Sequence, residues 1–334
     1  MAQALHEAQY YVKLPGEKVE CRLCPHTCVI APGKRGICRV RENRAGRLIS
    51  RNYGRCSSLA LDPIEKKPLY HFYPGSLILS AGTIGCNFSC QFCQNWEIAQ
   101  AEPETAVITP ADLVHKAREV DSLGIAYTYS EPLVWFEFVL ATARQARAAG
   151  LKNVMVTNGF IQEEPLQELL PWIDAWNIDV KGFSLEFYRK IVHGDYRPVL
   201  RTAAAAVAAG SHVEITTLLV TGLNDNLDEL GELVRWVAGN LGVDTPLHFS
   251  RYFPQYRLQA PPTPLATMRR VWEMAREHLH YVYLGNVADP EANNTYCPAC
   301  GELVIRRTGY QVSWPGLEGR RCRACGSELA IIRQ

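Results

Sequence analysis

Between about residues 75 and 287, short runs of apolar or β-branched residues alternate with stretches whose apolar residues recur at helical spacing. The candidate strands are Leu77–Ser80, Ile125–Tyr129, Asn153–Val156, Trp176–Val180, Val213–Val220, Leu247–Tyr252 and Tyr281–Leu284. Near-continuous hydrophobicity is expected of parallel strands whose outer face is covered by helices. Thr109-Pro110-Ala111-Asp112 places an N-cap before a proline at the first helical position, and Leu113, Ala117 and Val120 then share a face. Thr263-Pro264 opens a second such helix through Met268, Val271 and Ala275, while Gly124, Gly150 and Gly210 stand where C-cap glycines belong. Six or seven strand–helix units predict an α/β fold, a partial (β/α)6-type barrel rather than the full eight-fold one; an open doubly wound sheet is the alternative. In both, functional residues gather at strand C-terminal ends.

The flanks read differently. Residues 1–74 are rich in Cys, Pro, Gly and Arg with little periodicity, which suits a small metal-pinned lobe and a connector. Residues 291–334 are short and rich in Cys and Arg, a third unit after a barrel spanning 75–290. The 334 residues are 47% hydrophobic and 21% charged, with a net charge of +1, so no overall field draws the chain to nucleic acid or to a membrane. Met1 to Tyr10 lack the features of a secretory signal and no apolar run approaches the ~20 residues of a membrane span, so a soluble, cytoplasmic protein is expected. The arginines between Arg35 and Arg55 read as a solvated loop face, with nucleic-acid binding disfavoured.

Of twelve cysteines, eleven fall in three tight groups, a distribution that core packing does not produce; Cys56 reads as a small buried hydrophobe. Cys86, Cys90 and Cys93 follow the first strand with C-x3-C-x2-C spacing and an aromatic, Phe92, before the last. Three thiolates on a tight loop can ligate three corners of a four-iron cluster, and the odd number leaves one iron open to a small molecule.

At these residues the chain resembles the radical S-adenosylmethionine (SAM) superfamily, whose signature is this loop after strand one of a partial barrel. The resemblance implies a [4Fe–4S] cluster on Cys86, Cys90 and Cys93, with SAM bound at the open iron. It further implies reductive cleavage to methionine and a 5′-deoxyadenosyl radical, then hydrogen abstraction from a substrate. A low-potential electron donor, a flavodoxin or ferredoxin, is the implied partner. Tyr129-Ser130-Glu131-Pro132 stands where the superfamily carries a Gly-Gly-Glu-Pro-like turn, with Tyr and Ser in place of the glycines. Val156-Thr157-Asn158-Gly159 is similar to the Thr-Asn-Gly of the pyruvate formate-lyase activating enzyme group, and Asp179-Val180-Lys181 to an Asp-x-Lys near SAM. The implied cofactor-binding set is thus Phe92, Ser130, Glu131, Thr157, Asn158, Asp179 and Lys181, with Glu214, Thr216 and Thr217 reaching the ribose or sulfonium end.

Over nearly its whole length the chain also resembles the radical SAM component of the AmmeMemoRadiSam system. The matching segments are Cys21-Arg22-Leu23-Cys24-Pro25-His26-Thr27-Cys28, Asp62 to Phe72, Gly82 to Phe88, Cys93-Gln94-Asn95-Trp96, His248 to Tyr252 and Tyr281 to Val287. That resemblance implies Memo-like and AMMECR1-like partners and leaves the substrate open. An activase for a glycyl-radical enzyme is the alternative within the class, and a non-catalytic metal-binding adaptor the alternative outside it.

Cys297, Cys300, Cys322 and Cys325 form two C-x2-C knuckles, each followed by a glycine, the pattern of a closed structural site in a zinc ribbon or rubredoxin-like module, with zinc preferred and a single iron the alternative. Cys21, Cys24, Cys28 and Cys38, with C-x2-C-x3-C-x9-C spacing, suit zinc or an auxiliary [4Fe–4S] cluster, with zinc preferred and His26 beside the metal. Asp62–Leu69, bracketed by prolines, reads as a rigid connector rather than a substrate-contacting lip.

Overall fold

The protein is described by a computed structural model covering residues 5–333. Eight strands form its main sheet: β1 (Ser58–Pro63), β2 (Leu77–Gly82), β3 (Gly124–Tyr127), β4 (Lys152–Thr157), β5 (Ala175–Asp179), β6 (His212–Leu219), β7 (Leu247–Arg251) and β8 (Val282–Gly285). They lie side by side in the order in which the chain makes them, with β2 to β8 parallel and β1 antiparallel on the edge beside β2. All seven strands expected from the apolar runs are present within a few residues. A doubly wound sheet must reverse its order at a switch point. This order never reverses, so that alternative is set aside.

Crossovers between parallel neighbours are made by α1 (Pro110–Glu119), α2 (Phe136–Ala148), α3 (Glu163–Leu169), α4 (Tyr196–Ala208), α5 (Leu227–Asn240) and α6 (Leu265–Arg276). Right-handed connections that all step the same way place their helices on one face of the sheet. Trp176, Ile178, Val213 and Ile215 belong to the large core, while Asn177 and Thr216 meet on the opposite face, Asn177 Nδ2 donating to Thr216 Oγ1 at 2.9 Å. The N-terminal half of that inner face is filled: Ile78, Ala126, Val154 and Ala175 pack on Ile64, Leu69 and Phe72. The C-terminal half is left to the site.

Local chemistry explains several boundaries. Thr109 is the expected N-cap, and with Asp112 it makes a reciprocal cap, Asp112 N donating to Thr109 Oγ1 at 3.1 Å and Thr109 N to Asp112 Oδ2 at 2.9 Å. Gly150 (φ 75°) and Gly210 (φ 81°) end α2 and α4 in the left-handed region. Gly124 does not cap a helix. It opens β3, where a Cβ would stand 1.9 Å from the carbonyl oxygen of Lys152 on β4, so close strand approach is what requires glycine. Thr263 likewise does not cap α6; its hydroxyl donates to Leu219 O at 2.5 Å and accepts from Tyr252 N at 3.1 Å, joining β6 to the end of β7.

The sheet begins before the boundary expected at residue 74, because β1 pairs with β2 over six residues, Ser58 opposite Gly82 through Pro63 opposite Leu77. The N-terminal lobe comprises two three-stranded sheets, Tyr11–Leu14 with Lys18–Cys21 and Val29–Ile30, and His6–Glu7 with Arg47–Ser50 and Arg41–Arg44. A buried ion pair, Arg41 to Glu137 at 2.6 Å, fixes the lobe on α2. The C-terminal unit packs Val304, Ile305, Leu317, Leu329 and Ile331 around Cys297 and Cys322. The chain beyond its last strand returns to the core, where Ile332 N donates to His71 O at 2.7 Å and Tyr73 N to Ile332 O at 2.8 Å. Among the described residues, no helix is long and apolar enough to cross a membrane.

Candidate functional site

A cavity of about 630 Å³ opens at the C-terminal ends of the strands. Its wall takes Cys86, Cys90 and Cys93 from the loop after β2, Ser130 and Glu131 from the turn after β3, and Thr157 and Asn158 from the end of β4. Asp179 and Lys181 from β5, Thr216 from β6, and Phe92 complete the expected set that is brought together there.

The cysteine loop is held from several sides. Asn87 Nδ2 donates to Phe160 O at 2.7 Å, Ser89 N to Val192 O at 3.2 Å, and Gln91 N to Ile191 O at 3.1 Å. Phe88 lies so close to Gly194 that a Cβ there would stand 2.2 Å from the ring. Phe92 is buried and stacks on Phe187, ring centroids 6.1 Å apart. Burial pushes the Cys86 thiol well above its ordinary range and that of Cys90 up to about 12, Lys181 opposing the shift at Cys90. Thiols so placed stay protonated until a metal binds the sulfur and displaces the proton to solvent.

Glu131 is buried and serves the turn itself. Its Oε1 accepts from Leu133 N at 2.9 Å and from Thr157 Oγ1 at 2.5 Å, and its Oε2 from Asn158 N at 2.8 Å. Burial nevertheless raises this carboxyl to about 7, outweighing the three bonds. Ser130 Oγ donates to Thr83 O at 2.8 Å, and Tyr129 takes φ 71°, the left-handed conformation for which glycine is better suited. Asn158 Nδ2 reaches Asn87 Oδ1 at 2.8 Å and lies 3.7 Å from Cys86 Sγ, coupling the end of β4 to the cysteine loop.

On the opposite wall Lys181 Nζ donates to Asp179 Oδ2 at 2.8 Å. Burial disfavours the ammonium, but Asp179 and Cys90 outweigh it and Lys181 titrates above the usual lysine range. Asn177, which pattern reading missed, stands on the cavity wall with its Oδ1 buried and lacking a donor. A polar residue in the otherwise apolar run Ala175 to Ile178 was the available signal.

Glu214 is not part of this wall. It shares a strand face with Thr216 but sits one pleat deeper, where it accepts from Tyr70 N (3.0 Å), His71 N (2.7 Å), His212 Nε2 (2.9 Å) and His248 Nε2 (2.6 Å). Its carboxylate is fully occupied in joining β6 and β7 to the segment before β2. Thr217 points to the other face and donates to Val180 O at 2.8 Å. Conversely, Lys66, Lys67 and Pro68 line the cavity, so the segment read as a connector is one of its walls. Asp62 organises it, accepting from Lys66 Nζ (2.8 Å), Lys67 Nζ (2.7 Å) and Tyr129 Oη (2.6 Å). Ser250, Asn286 and Tyr310 of the C-terminal unit also reach the wall.

The two flanking cysteine groups differ in geometry. Cys297 Sγ lies 3.6 Å from Cys325 Sγ, Cys300 Sγ lies 3.7 Å from Cys322 Sγ, and all four sulfurs fall within 4.8 Å of one another. Gly301 (φ 78°) and Gly326 (φ 76°) close the two knuckles, their amides donating to Cys297 O and Cys322 O at 2.9 and 2.8 Å. Cys21, Cys24, Cys28 and Cys38 surround a small cavity of their own together with His26 and Arg41. His26 faces the other loop: Asn87 O can only accept, so Nε2–H of His26 donates to it at 2.7 Å. Cys56 is buried with its sulfur 3.2 Å from Ser58 O.

A three-cysteine loop after the first parallel strand, opening on a cavity at the strand C-termini, defines an α/β enzyme of the radical SAM kind. Residues 81–237 match the Radical SAM superfamily, so the chain carries a domain of that superfamily. An uncharacterized protein of Methanocaldococcus jannaschii is 45% identical over 335 residues, spanning 98% of this chain and 100% of that protein. The "Probable GTP 3′,8-cyclase" of Pyrobaculum aerophilum is 25% identical, covering 67% of this chain and 78% of its own. Streptococcus suis SuiB, solved bound to S-adenosylmethionine, shares the fold with a TM-score of 0.50 and 15% identity over 65% of this chain and 50% of that one. A Radical SAM domain implies a [4Fe–4S] cluster and SAM.

Proposed function

We propose that Cys86, Cys90 and Cys93 ligate the cluster, that SAM occupies the adjoining cavity, and that the enzyme abstracts hydrogen from a substrate entering between Lys66, Ser250, Asn286 and Tyr310. The carrying observation is the donor set. Three thiols, that of Cys90 buried and those of Cys86 and Cys93 half-buried, share one cavity with the Asp179–Lys181 pair and the unpartnered Oδ1 of Asn177, groups complementary to the carboxylate, amino and hydroxyl functions of SAM. When bound, cluster and cofactor supply one-electron cleavage of SAM to methionine and a 5′-deoxyadenosyl radical. The chain's own residues position and enclose. Lys181 stays protonated against Asp179, Glu131 fixes the turn after β3 to the end of β4, and Phe92 and Phe88 keep the loop dry. Strand order without reversal and helices on one face support a partial barrel around this site.

In the same reading Cys297, Cys300, Cys322 and Cys325 hold zinc. Four thiolates at zinc–sulfur distances of about 2.3 Å require sulfurs about 3.8 Å apart, which this set approaches and which leaves no open position. A flavodoxin or ferredoxin supplies the electron. The family-length resemblance makes Memo-like and AMMECR1-like proteins the proposed associates, and genes for them beside this one, rather than a glycyl-radical enzyme, would favour that branch over an activase. The test of the central reading is anaerobic reconstitution followed by dithionite and SAM. Production of 5′-deoxyadenosine is expected; none, from protein carrying a full cluster, overturns it.

A further inference from the structure

The sulfur spacing separates the chain's three cysteine groups into two kinds. A tetrahedral zinc site draws its ligands to about 3.8 Å of one another. Among the described residues, only Cys297, Cys300, Cys322 and Cys325 form a His/Cys/Asp/Glu group with ligand atoms all within 4.8 Å. The sulfurs of Cys21, Cys24, Cys28 and Cys38 are therefore spread more widely, no three of them meeting that limit, as is also true of Cys86, Cys90 and Cys93. Wider spacing is what a cubane demands, because each thiolate binds a different iron at a corner of the cube.

A buried donor points the same way. Arg41 lines the cavity of the four cysteines with its side chain 1% exposed. Its Nη1 donates to Gln9 O at 2.8 Å and its Nη2 to Glu137 Oε1 at 2.6 Å, but its Nε is buried with no acceptor. An orphaned buried N–H is destabilising unless an acceptor arrives with a ligand, and thiolate or sulfide sulfur is such an acceptor.

The place of the site completes the case. A Cβ on Gly85 would lie 2.7 Å from the carbonyl oxygen of Cys38, so the Cys38 backbone touches the residue that precedes Cys86. His26, inside the group, bonds the backbone of Asn87, the residue after Cys86. On the outer side Ile37 lines the same cavity yet is 52% exposed, and Cys24 and Cys28 are half-buried, so the site lies near the surface.

We propose that Cys21, Cys24, Cys28 and Cys38 hold a second [4Fe–4S] cluster that relays electrons from the surface to the cluster on Cys86, Cys90 and Cys93; the relay rests on the function proposed above, the cluster itself does not. One electron leaves a reduced low-potential carrier of the flavodoxin or ferredoxin class, which is thereby oxidised. It takes the second cluster from the 2+ to the 1+ state and then passes to the first, returning the second to 2+. No atom is transferred.

The test counts iron, acid-labile sulfide and zinc in anaerobically reconstituted full-length protein, in wild type and in a Cys86→Ala/Cys90→Ala/Cys93→Ala variant. Wild type should carry about eight irons and about one zinc, and the variant about four irons with the electron paramagnetic resonance signal of a reduced cluster. About two zincs, with no iron–sulfur cluster in the variant, overturns the proposal. Should wild type hold only about four irons, their survival in the variant supports the second cluster and refutes the first, and their loss does the reverse. For the relay, a Cys21→Ala/Cys24→Ala variant that still carries about four irons should cleave SAM at least about tenfold more slowly with reduced flavodoxin than wild type, while dithionite supports both. Equal slowing with both donors overturns the relay. If that variant does not fold, electron paramagnetic resonance of wild type after one-electron reduction by flavodoxin decides: a signal also present in the triple variant supports the relay, and its absence from the flavodoxin-reduced triple variant overturns it.

Discussion

The hydroxyl of Tyr283, at the heart of β8, donates to Nε2 of His71 across 2.6 Å. The direction is fixed from the other end of the ring. His71 Nδ1 faces the carbonyl oxygen of Ala330 at 2.7 Å, which can only accept, so Nδ1 carries the proton and Nε2 accepts. Thr295 then donates to Tyr283 at 2.8 Å, and Arg307 Nη1 to Thr295 at 2.8 Å. This one-way chain, together with Arg307 lying 4.2 Å over the ring of Tyr70, ties the C-terminal unit to the floor of the sheet.

Its polarity predicts an acid-labile fold. Burial drives the His71 imidazole down to about 3 from its ordinary 6.5, so its stabilising contribution is complete above pH 6.5 and is lost as pH falls toward 3. Burial also opposes charge on Glu214, but the bonds from His212 and His248 win and hold its carboxyl well below the ordinary 4.5; that contribution is lost below pH 4.5. Thermal unfolding should therefore occur at progressively lower temperature from pH 6.5 downward. His71→Gln should flatten the upper part of that profile while costing about 1–3 kcal/mol at pH 7. A melting temperature independent of pH from 7 to 4 would refute the protonation pattern.

Replacement of Gly85 tests how the N-terminal lobe seats on the cysteine loop. Gly85 has φ 87°, and a Cβ would stand 2.7 Å from both Cys38 O and Val40 Cγ1. Backbone strain alone costs about 1–3 kcal/mol, and the contacts are with backbone and a buried side chain, which cannot yield cheaply. Gly85→Ala should lower stability by at least that amount and reduce iron bound after gel filtration, whereas Gly150→Ala, with nothing within 4 Å, should show only the strain term. Equal effects of the two substitutions would show that the Cys38 contact carries no weight.

Much of this architecture was legible in the residues. Strands buried on both faces must be apolar throughout, so β2 to β8 announced themselves as continuous runs, and the cysteine spacings marked three groups. Strand β1 did not, because an edge strand with Leu59 and Leu61 partly exposed, closed by Asp62-Pro63, reads as a connector. Side-chain parity placed Glu214 on the face of Thr216 but carries no information about depth along the strand; depth is set by Tyr70 and His71, far away in sequence. Lys67 is buried only because Asp62 and the ring of Tyr129, 4.6 Å from its ammonium, receive it. Such partners belong to the tertiary fold and leave no local pattern.

Lys181 offers a direct probe of the cavity. Its ammonium remains charged beside Asp179 at any working pH, and it stands on the wall that faces the cysteine loop. Lys181→Met should leave iron content unchanged and weaken SAM binding by about tenfold or more, the scale of one lost charge-assisted hydrogen bond. Equilibrium dialysis of SAM with reconstituted protein measures this. Undiminished affinity would mean that Lys181 serves Asp179 alone.

The C-terminal unit should depend on its metal. Its core is only a few side chains around Cys297 and Cys322, too small to hold together unaided. Cys300→Ala should remove about one zinc per chain and lower the melting temperature. It should also increase hydrogen exchange from Leu303 to Tyr310, because Arg307 and Tyr310 carry the unit to the sheet and to the cavity wall. Exchange unchanged in that stretch would show that the Arg307 anchor suffices without metal.

Glu131 tests whether the turn after β3 works through its side chain or merely through its shape. Both carboxylate oxygens are spent: Oε1 on Leu133 N and Thr157 Oγ1, Oε2 on Asn158 N. Glu131→Gln keeps the size and replaces one oxygen by an NH2 group, which must face a donor. If that group meets Thr157, the hydroxyl can rotate, but the amide of Leu133 cannot; if it meets Asn158, the backbone N–H has no alternative. Either arrangement leaves a buried donor unmatched at a cost of about 1–3 kcal/mol. The strain falls beside Cys86, because Asn158 also contacts Asn87 Oδ1 and lies near Cys86 Sγ. The variant should thus unfold at lower temperature and lose iron faster on dilution into chelator. Glu131→Ala, which leaves all three donors unpaired, should be worse on both counts. A Gln variant as stable as wild type, with the same rate of iron loss, would show that the carboxylate does not brace this loop.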